Sequence, residues 1–294
     1  MPVWQPDPGE LLLARAPVMF ATGAAPAVKG MRWFRDPERR DIQGELSGWP
    51  EGPEFTPRSK GERGARAVVT AVGRTVGVLV MAALTGGGGA GPDFGGLGRP
   101  QDPANEVDDF PVLYGAPDSV ARTLPWQLDP ARRPEDYRTH LVVTNRRVLI
   151  TGFTKGPEVH DQVLWQADRA WLSRVEPKDF SRTKCKDFTA DQCDVRVDFT
   201  DGSWCRLASN YRENICRHLT YPLELLGPED LTPGQTRRVA EFVAERTTVS
   251  GPVVTRLPDF TYLIEVRESD RVDAFSGITF PSVVMDRNGE DPDV

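Results

Sequence analysis

Cysteine and histidine side chains, which often bind metals or act as nucleophiles and bases, are few and scattered in this chain. Among 294 residues there are three histidines and four cysteines, the latter at positions 185, 193, 205 and 216. No two cysteines have the close Cys-x-x-Cys spacing of a structural zinc site. We therefore expect no metal and no cofactor, and we interpret the cysteines as buried thiols in a reducing compartment.

Sequence motifs for hydrolysis, nucleotide binding and metallopeptidase chemistry are missing. The chain has no His-Glu-x-x-His, no Gly-x-Ser-x-Gly and no Walker phosphate loop. His140 and His160 lie on or beside predicted strands, and the sequence assigns neither a serine nor a cysteine partner to them. We predict that the protein is not an enzyme and has no catalytic residue. A hydrolase is kept as a third hypothesis, which requires a cleft where His140 or His160 approaches a nucleophile.

Anion binding is the chemistry that basic side chains could supply. The stretch SRVEPKDFSRTKCKDF carries five cations, Arg174, Lys178, Arg182, Lys184 and Lys186. A basic loop of this kind can hold an anionic headgroup. Glu176, Asp179 and Asp187 dilute its charge, so an ordinary solvated loop is the simpler interpretation. The net charge of the chain is −7, which argues against nucleic acid as a partner.

Two further arginines lie at the turn of a hydrophobic hairpin, HLVVTNRRVLITGF (His140–Phe153). A two-residue loop, Asn145–Arg146, makes every cross-strand pair apolar, so both faces of this hairpin must be covered by other elements. We interpret Arg146 and Arg147 mainly as turn residues, with Arg147 pairing with a nearby acid. A ligand site at these two arginines is the alternative.

A second hairpin is predicted from CDVRVDFTDGSWCRLA (Cys193–Ala208). A three-residue loop that ends at a left-handed Gly202 pairs Val197 with Cys205 and keeps one face apolar. A two-residue loop would instead set Val197 opposite Arg206. The sequence therefore favours the longer loop.

Shorter strands and two helices complete the pattern. Further strands are predicted at Gln162–Ala167, Ala170–Pro177 and Phe260–Arg267. One helix is expected to open at Asn210, an N-cap with a glutamate three residues on. A second opens at Thr232, with Pro233 at its first position and Gln235 completing a capping box, and runs to about Arg246.

The stretch LVVTNRRVLI resembles the Thr-x-x-Arg hairpin of bacterial pleckstrin-homology-like and GRAM-like domains. VRVDFTDGSWCRLAS followed by a helix fits the same pattern, and so does PDPGELLLARAPVMFA (Pro6–Ala21) as a first strand. The resemblance implies a mainly β fold with helix (α+β), a pleckstrin-homology-like antiparallel barrel or sandwich capped by a C-terminal helix. It covers residues 1–21 and 139–247, which we expect to form one domain.

A long insertion, residues 22–138, separates the two parts of that domain. Within it Ala65–Leu84 is the most apolar run of the chain and predicts a helix, and a Gly-rich linker follows at 85–98. The residues expected on the contact face of this helix are Val68, Val69, Val72, Gly73, Gly77 and Val80. Three placements are open: packing on the sheet or a partner subunit, lying at a membrane surface, or spanning the membrane. Arg74 near the middle disfavours a span, because it costs roughly 2.5–3.5 kcal/mol there.

These expectations lead to two hypotheses for function. The first is a non-catalytic bacterial binding or scaffold protein that docks a protein partner or itself through the insertion. The alternative is a peripheral membrane protein that uses helix 65–84 and the basic loop 174–186 to bind anionic lipid. The start, MPVWQPDPGE, has no signal-peptide pattern, so we expect a cytoplasmic location, membrane-associated in the alternative. Residues 248–294 are predicted to be a C-terminal extension with an acidic tail.

Overall fold

The chain forms three β-sheets and two α-helices in the part that the structure describes. The computed structural model describes residues 3–21, 34–50, 111–130, 132–178, 193–220, 224–269, 271–273 and 277–292. The strands are β1 (Leu12–Pro17), β2 (Met19–Phe20), β3 (Phe34–Arg35), β4 (Leu113–Tyr114), β5 (Tyr137–Thr144), β6 (Arg147–Thr154), β7 (Gln162–Asp168), β8 (Leu172–Pro177), β9 (Asp194–Phe199), β10 (Trp204–Ala208), β11 (Glu224–Leu226), β12 (Val253–Arg256), β13 (Tyr262–Glu265) and β14 (Ser282–Met285). The helices are α1 (Arg212–Thr220) and α2 (Pro233–Ala244). The prediction of a mainly β fold with helix is confirmed.

Several predicted features lie outside the described residues. They are the apolar helix 65–84 with its contact face at Val68, Val69, Val72, Gly73, Gly77 and Val80, the linker 85–98, and the basic residues Arg182, Lys184 and Lys186. Among the residues that are described, none of the helices has the length and hydrophobicity needed to cross a bilayer.

The chain divides into two compact units, each assembled from separate stretches of sequence. The first unit combines residues 1–17, 140–169 and 213–294, and the second combines residues 18–139 and 170–212. Each unit therefore depends on contacts between residues that are distant in sequence.

The first sheet lies in the first unit, with its strands in the order β1-β5-β6-β7. β1 pairs antiparallel with β5 and sets Arg15 opposite Val142. β6 pairs antiparallel with β7 and sets Ile150 opposite Trp165. Only Asn145–Arg146 separates β5 from β6, so the predicted two-residue connection is confirmed.

Both faces of the β5–β6 hairpin are covered, as its apolar sequence predicts. Its central residues are at most 3% exposed, namely Leu141, Val142, Val143, Val148, Leu149 and Ile150. Val142 and Leu149 pack with Leu12 and Ile278 in one core cluster, with Trp4 against its edge. Burial of this apolar surface is the main force that holds the N-terminal segment to the hairpin.

The second sheet of the first unit has the order β11-β12-β13-β14, with α2 packed on it. Its core includes Phe242 from the helix and Ile264 from β13. The predicted cap is confirmed, since the Thr232 hydroxyl accepts from the Gln235 backbone N–H and the Gln235 side chain accepts from the Thr232 backbone N–H. Pro233 occupies the first turn, where its missing N–H costs nothing.

The third sheet, in the second unit, has the order β3-β4-β10-β9-β8, and β2 also pairs with β10. The β9–β10 register is as predicted, with Cys205 opposite Val197 and Leu207 opposite Val195. Gly202 has a φ of +82°, which a residue without a Cβ adopts at little cost. β3 and β4 are parallel, a pairing that the sequence did not indicate.

The start of α1 differs from the prediction. The helix begins at Arg212, and the Ser209 hydroxyl accepts from the backbone N–H of Tyr211 at 3.1 Å. Asn210, the predicted N-cap, instead accepts from the Cys193 thiol through its side-chain oxygen, 3.5 Å away. The Ser209 hydroxyl therefore closes a turn just before the helix, and the Asn210 side chain takes part in a contact with a distant residue.

Three cysteines are buried free thiols, namely Cys193, Cys205 and Cys216. This agrees with their interpretation as core residues, while Cys185 lies outside the described residues. Burial raises the pKa of the Cys205 thiol far above its ordinary value, so it stays protonated and unreactive.

Candidate functional site

Arg147, one of the predicted ligand residues, is bound to two acids of the N-terminal segment. Its Nε donates to Glu10 Oε1 at 3.0 Å, and its Nη2 donates to Glu10 Oε2 at 2.9 Å and to Asp7 Oδ2 at 2.6 Å. The guanidinium also lies over the Trp4 ring, 5.6 Å from its centroid. The pairing with a nearby acid that the sequence predicted for Arg147 is therefore present, and it fastens residues 4–10 to the hairpin turn.

The pKa of Glu10 shows the effect of its pairing with Arg147. Its burial alone would raise the pKa of the carboxyl group, but hydrogen bonds from Arg147 and from the Thr144 hydroxyl lower it below the ordinary 4.5. The same hydrogen bond with Glu10 raises the pKa of Arg147. Thr144 donates to Glu10 at 2.6 Å and accepts from the backbone N–H groups of Arg146 and Arg147, so one hydroxyl organises the whole turn.

Arg146 occupies the same turn and is exposed. Its backbone N–H is taken up by Thr144, while its guanidinium forms no hydrogen bond or ion pair within the described part of the chain. Arg146 is therefore available to solvent or to a ligand, unlike Arg147 beside it.

The basic residues predicted near β8 are only partly described. Arg174 is exposed and forms an ion pair with Glu176, two residues along the same strand. The Lys178 backbone N–H donates to the Asp194 carbonyl at 3.0 Å, which extends the pairing of β8 with β9. Exposed ion pairs such as Arg174–Glu176 contribute little to stability and stay open to solvent.

His140 belongs to a buried charged network in the first unit. Arg15 makes a two-pronged ion pair with Asp161, at 2.6 and 2.7 Å, and its Nε donates to His140 Nδ1 at 3.3 Å. The Trp4 backbone N–H also donates to Asp161, and the His140 ring meets Phe153 edge-on with centroids 4.9 Å apart. Since Nδ1 accepts from a guanidinium, this geometry suits cross-strand tethering better than proton abstraction. His160, in contrast, is exposed and lies 3.4 Å from Glu158.

A second buried network, which the sequence did not reveal, joins α1 to β13. His218 Nε2 lies 3.2 Å from Glu265 Oε2, and Arg217 Nη2 donates to Glu265 Oε1 at 2.7 Å. Arg169 Nη2 donates to the His218 carbonyl at 2.5 Å. The only sequence signal was two basic residues in the last turn of a helix, where cations favour the helix dipole.

Two adjacent arginines of the second unit, Arg132 and Arg133, were also not singled out from the sequence. Arg132 forms an ion pair with Asp129, and its guanidinium lies against the rings of Phe34 and Trp49, 5.6 and 5.3 Å from their centroids. Arg133 has no carboxylate partner in the described part of the chain. The sequence signal for this cluster was the three arginines of ARRPEDYR (131–138). The two acidic residues between them give the stretch the appearance of an ordinary charged loop.

No group of three or more metal-ligating side chains is placed to hold an ion in the part of the chain that the structure describes. Comparisons of the chain with protein-family models, with curated proteins and with solved structures find no match.

Proposed function

We propose that the protein is a non-catalytic binding or scaffold protein built on a pleckstrin-homology-like domain. In this proposal it docks a protein partner, or a second copy of itself, through the inserted segment 65–84. The observation that carries the proposal is the order of the strands. β1 pairs with β5 although residues 18–136 lie between them, which leaves the intervening chain as an insertion into one sheet.

The rest of the strand order also supports the resemblance. β5, β6 and β7 follow one another in the first sheet, and β8, β9 and β10 follow one another in the third, with α1 next along the chain. Successive antiparallel strands closed by a helix are what the Thr-x-x-Arg hairpin family implies. A framework of this kind presents loops and inserted segments on rigid strands, which suits recognition.

Exposed aromatic side chains support contact with another protein. Trp171 is 48% exposed between β7 and β8, and Phe260 is 72% exposed at the turn between β12 and β13. Phe260 has a φ of +64°, a strained conformation for a bulky residue. Aromatic side chains are enriched in protein–protein interfaces.

The described cations favour a protein partner over a lipid headgroup. Arg147 is paired with Glu10, whose side chain is 1% exposed, and with Asp7. A headgroup would have to displace these acids. The exposed guanidinium of Arg146 is the observation that favours the alternative, a peripheral membrane protein that uses helix 65–84 and loop 174–186.

Vesicle flotation at low salt separates the two functions. The full chain and a chain with residues 65–84 replaced by a Gly-Ser segment of equal length are mixed with vesicles of phosphatidylcholine and phosphatidylglycerol. The proposal predicts that both chains stay in the soluble fraction. Flotation of the full chain that disappears in the replaced chain would overturn protein docking in favour of membrane anchoring.

A further inference from the structure

Within the described part of the chain, the guanidinium of Arg133 is held only through its Nη1 nitrogen. Its Nη1 donates to the Gln127 carbonyl at 3.1 Å and to the Thr139 hydroxyl at 2.5 Å. Thr139 in turn donates to the Val18 carbonyl at 2.6 Å, so the hydroxyl that holds Arg133 is itself fixed. Nε and Nη2, which carry three of the five N–H donors of a guanidinium, make no hydrogen bond to the described residues.

The described residues do not neutralise the charge of Arg133. Burial lowers the pKa of this guanidinium to about 10, and the positive charge of Arg138 acts in the same direction. Asp129 opposes this effect, but that carboxylate is already paired with Arg132. Within the described residues Arg133 has no carboxylate partner of its own, and a partly desolvated cation without a counter-ion is costly for a folded protein.

In the described structure, the acidic residues next to Arg133 in the sequence do not act as its counter-ion. Glu135 and Asp136, on the turn before β5, are exposed. Glu135 contributes only its backbone carbonyl, which accepts from Arg138 at 2.6 Å. Within the described residues, Arg133 therefore donates only to neutral oxygens.

From this geometry we infer that Arg133 is the centre of a binding site for a phosphate group. The free Nε–Nη2 edge is the edge of arginine that grips phosphate or carboxylate with two parallel hydrogen bonds. A phosphate monoester carries close to two negative charges near neutral pH, which suits a guanidinium that has no carboxylate partner among the described residues. This site belongs to the second unit and is independent of docking through residues 65–84.

Binding of inorganic phosphate to the full chain tests this inference. Thermal unfolding and calorimetric titration are compared in phosphate and in sodium chloride of equal ionic strength. We expect a saturable rise of Tm in phosphate that chloride does not give. In Arg133→Met, which keeps the length of the side chain without its charge, the affinity for phosphate should fall about tenfold or more, since charged hydrogen bonds are lost.

The matched control is Arg237→Met, because Arg237 on α2 is an exposed arginine whose guanidinium is also unpaired within the described residues and belongs to no proposed site. This variant should bind phosphate as the unmodified chain does. Equal binding by the Arg133→Met variant and the unmodified chain, or a phosphate effect no larger than that of chloride, overturns the site. Should Arg133→Met fail to fold, the Nε–H signal of Arg133 in the unmodified chain decides, since a signal that phosphate does not shift overturns the site as well.

Two further arms of the experiment distinguish a free phosphate ester from a lipid headgroup as the ligand. One arm titrates a soluble inositol phosphate, and the other measures flotation with phosphatidylcholine vesicles that contain a phosphoinositide. Binding of the soluble ligand without flotation supports a free phosphate ester. Flotation that Arg133→Met abolishes and Arg237→Met preserves supports a lipid headgroup, whereas binding in either arm that survives Arg133→Met overturns the site.

Discussion

The buried ion pair between Arg15 and Asp161 gives the sharpest prediction about stability. Their side chains are 0% and 1% exposed, so neither charge has access to water. The change Asp161→Asn removes the carboxylate charge and keeps its size. Among the described residues, Arg15 then stays buried as a cation with only an amide oxygen and His140 Nδ1 as acceptors.

The expected cost follows from this burial. Removing one partner of a buried pair costs about 3–5 kcal/mol, because the remaining charge is left uncompensated. That is a large share of the roughly 5–15 kcal/mol that stabilises a typical domain. Asp161 also accepts from the Trp4 backbone N–H at 2.6 Å, so the variant weakens the attachment of the N-terminal segment too.

Equilibrium unfolding in urea measures this cost. Tryptophan fluorescence and far-UV circular dichroism should be followed together, since a chain with two compact units need not unfold in one step. The matched control is Glu176→Gln, the same chemical change in the pair with Arg174, whose side chain is 65% exposed. This control should cost less than about 1 kcal/mol.

A double variant tests the physical reason. Replacing both Arg15 and Asp161, with Met and Leu, removes the uncompensated charge together with the pair. We expect this double variant to be more stable than Asp161→Asn alone, because an apolar replacement of a buried pair is often tolerated. If Asp161→Asn costs no more than Glu176→Gln, or if the double variant is the least stable of the three, the reasoning from desolvation is wrong.

Three further predictions concern a clash, a titration and a strained turn. Gly277 has a φ of +76° and a Cβ added there would collide with the Arg15 carbonyl oxygen, so Gly277→Ala should cost more than about 2 kcal/mol in urea unfolding. Its control, Gly202→Ala, has a similar φ but open space around it and should cost about 1 kcal/mol; equal costs would contradict the predicted clash. The pKa of Glu10 is lowered on folding, so its contribution to stability is complete above pH 4.5 and is lost as the pH falls through the folded value. Glu10→Gln should remove that part of the acid dependence, and an unchanged pH profile would refute it. Phe260→Gly should raise the free energy of unfolding by about 0.5–1 kcal/mol, because glycine relieves the left-handed strain at some cost in chain entropy. Phe260→Ala keeps the strain and serves as the control, and an equal gain from both variants would speak against it.

The parts of the fold that the sequence predicted are those fixed by local chemistry. The loop ending at Gly202 and the alternation along β9 determine the β9–β10 register without help from the rest of the chain. The cap at Thr232 and the two-residue turn at Asn145–Arg146 are also local, because backbone and side-chain hydrogen bonds within a few residues decide them.

The features that the sequence did not predict depend on distant contacts. β3 and β4 have two residues each, too few to show a period, and their parallel pairing is set by neighbouring strands. Arg133 donates to the Thr139 hydroxyl, and the nearby Asp129 is paired with Arg132. No spacing in the sequence reveals either contact. Likewise, Glu265 contacts Arg217 and His218, and Arg217 lies 48 residues before Glu265 in the sequence.

The central claim is that the inserted segment 65–84 is a docking segment on a pleckstrin-homology-like framework. Sedimentation velocity of the full chain and of the chain with this segment replaced by Gly-Ser residues, each over a wide range of concentrations, tests it most directly. We predict reversible self-association of the full chain that the replaced chain lacks, with the same circular dichroism for both. Equal association of the two chains would contradict the claim, and no association in either would exclude a second copy of the chain as the docked partner.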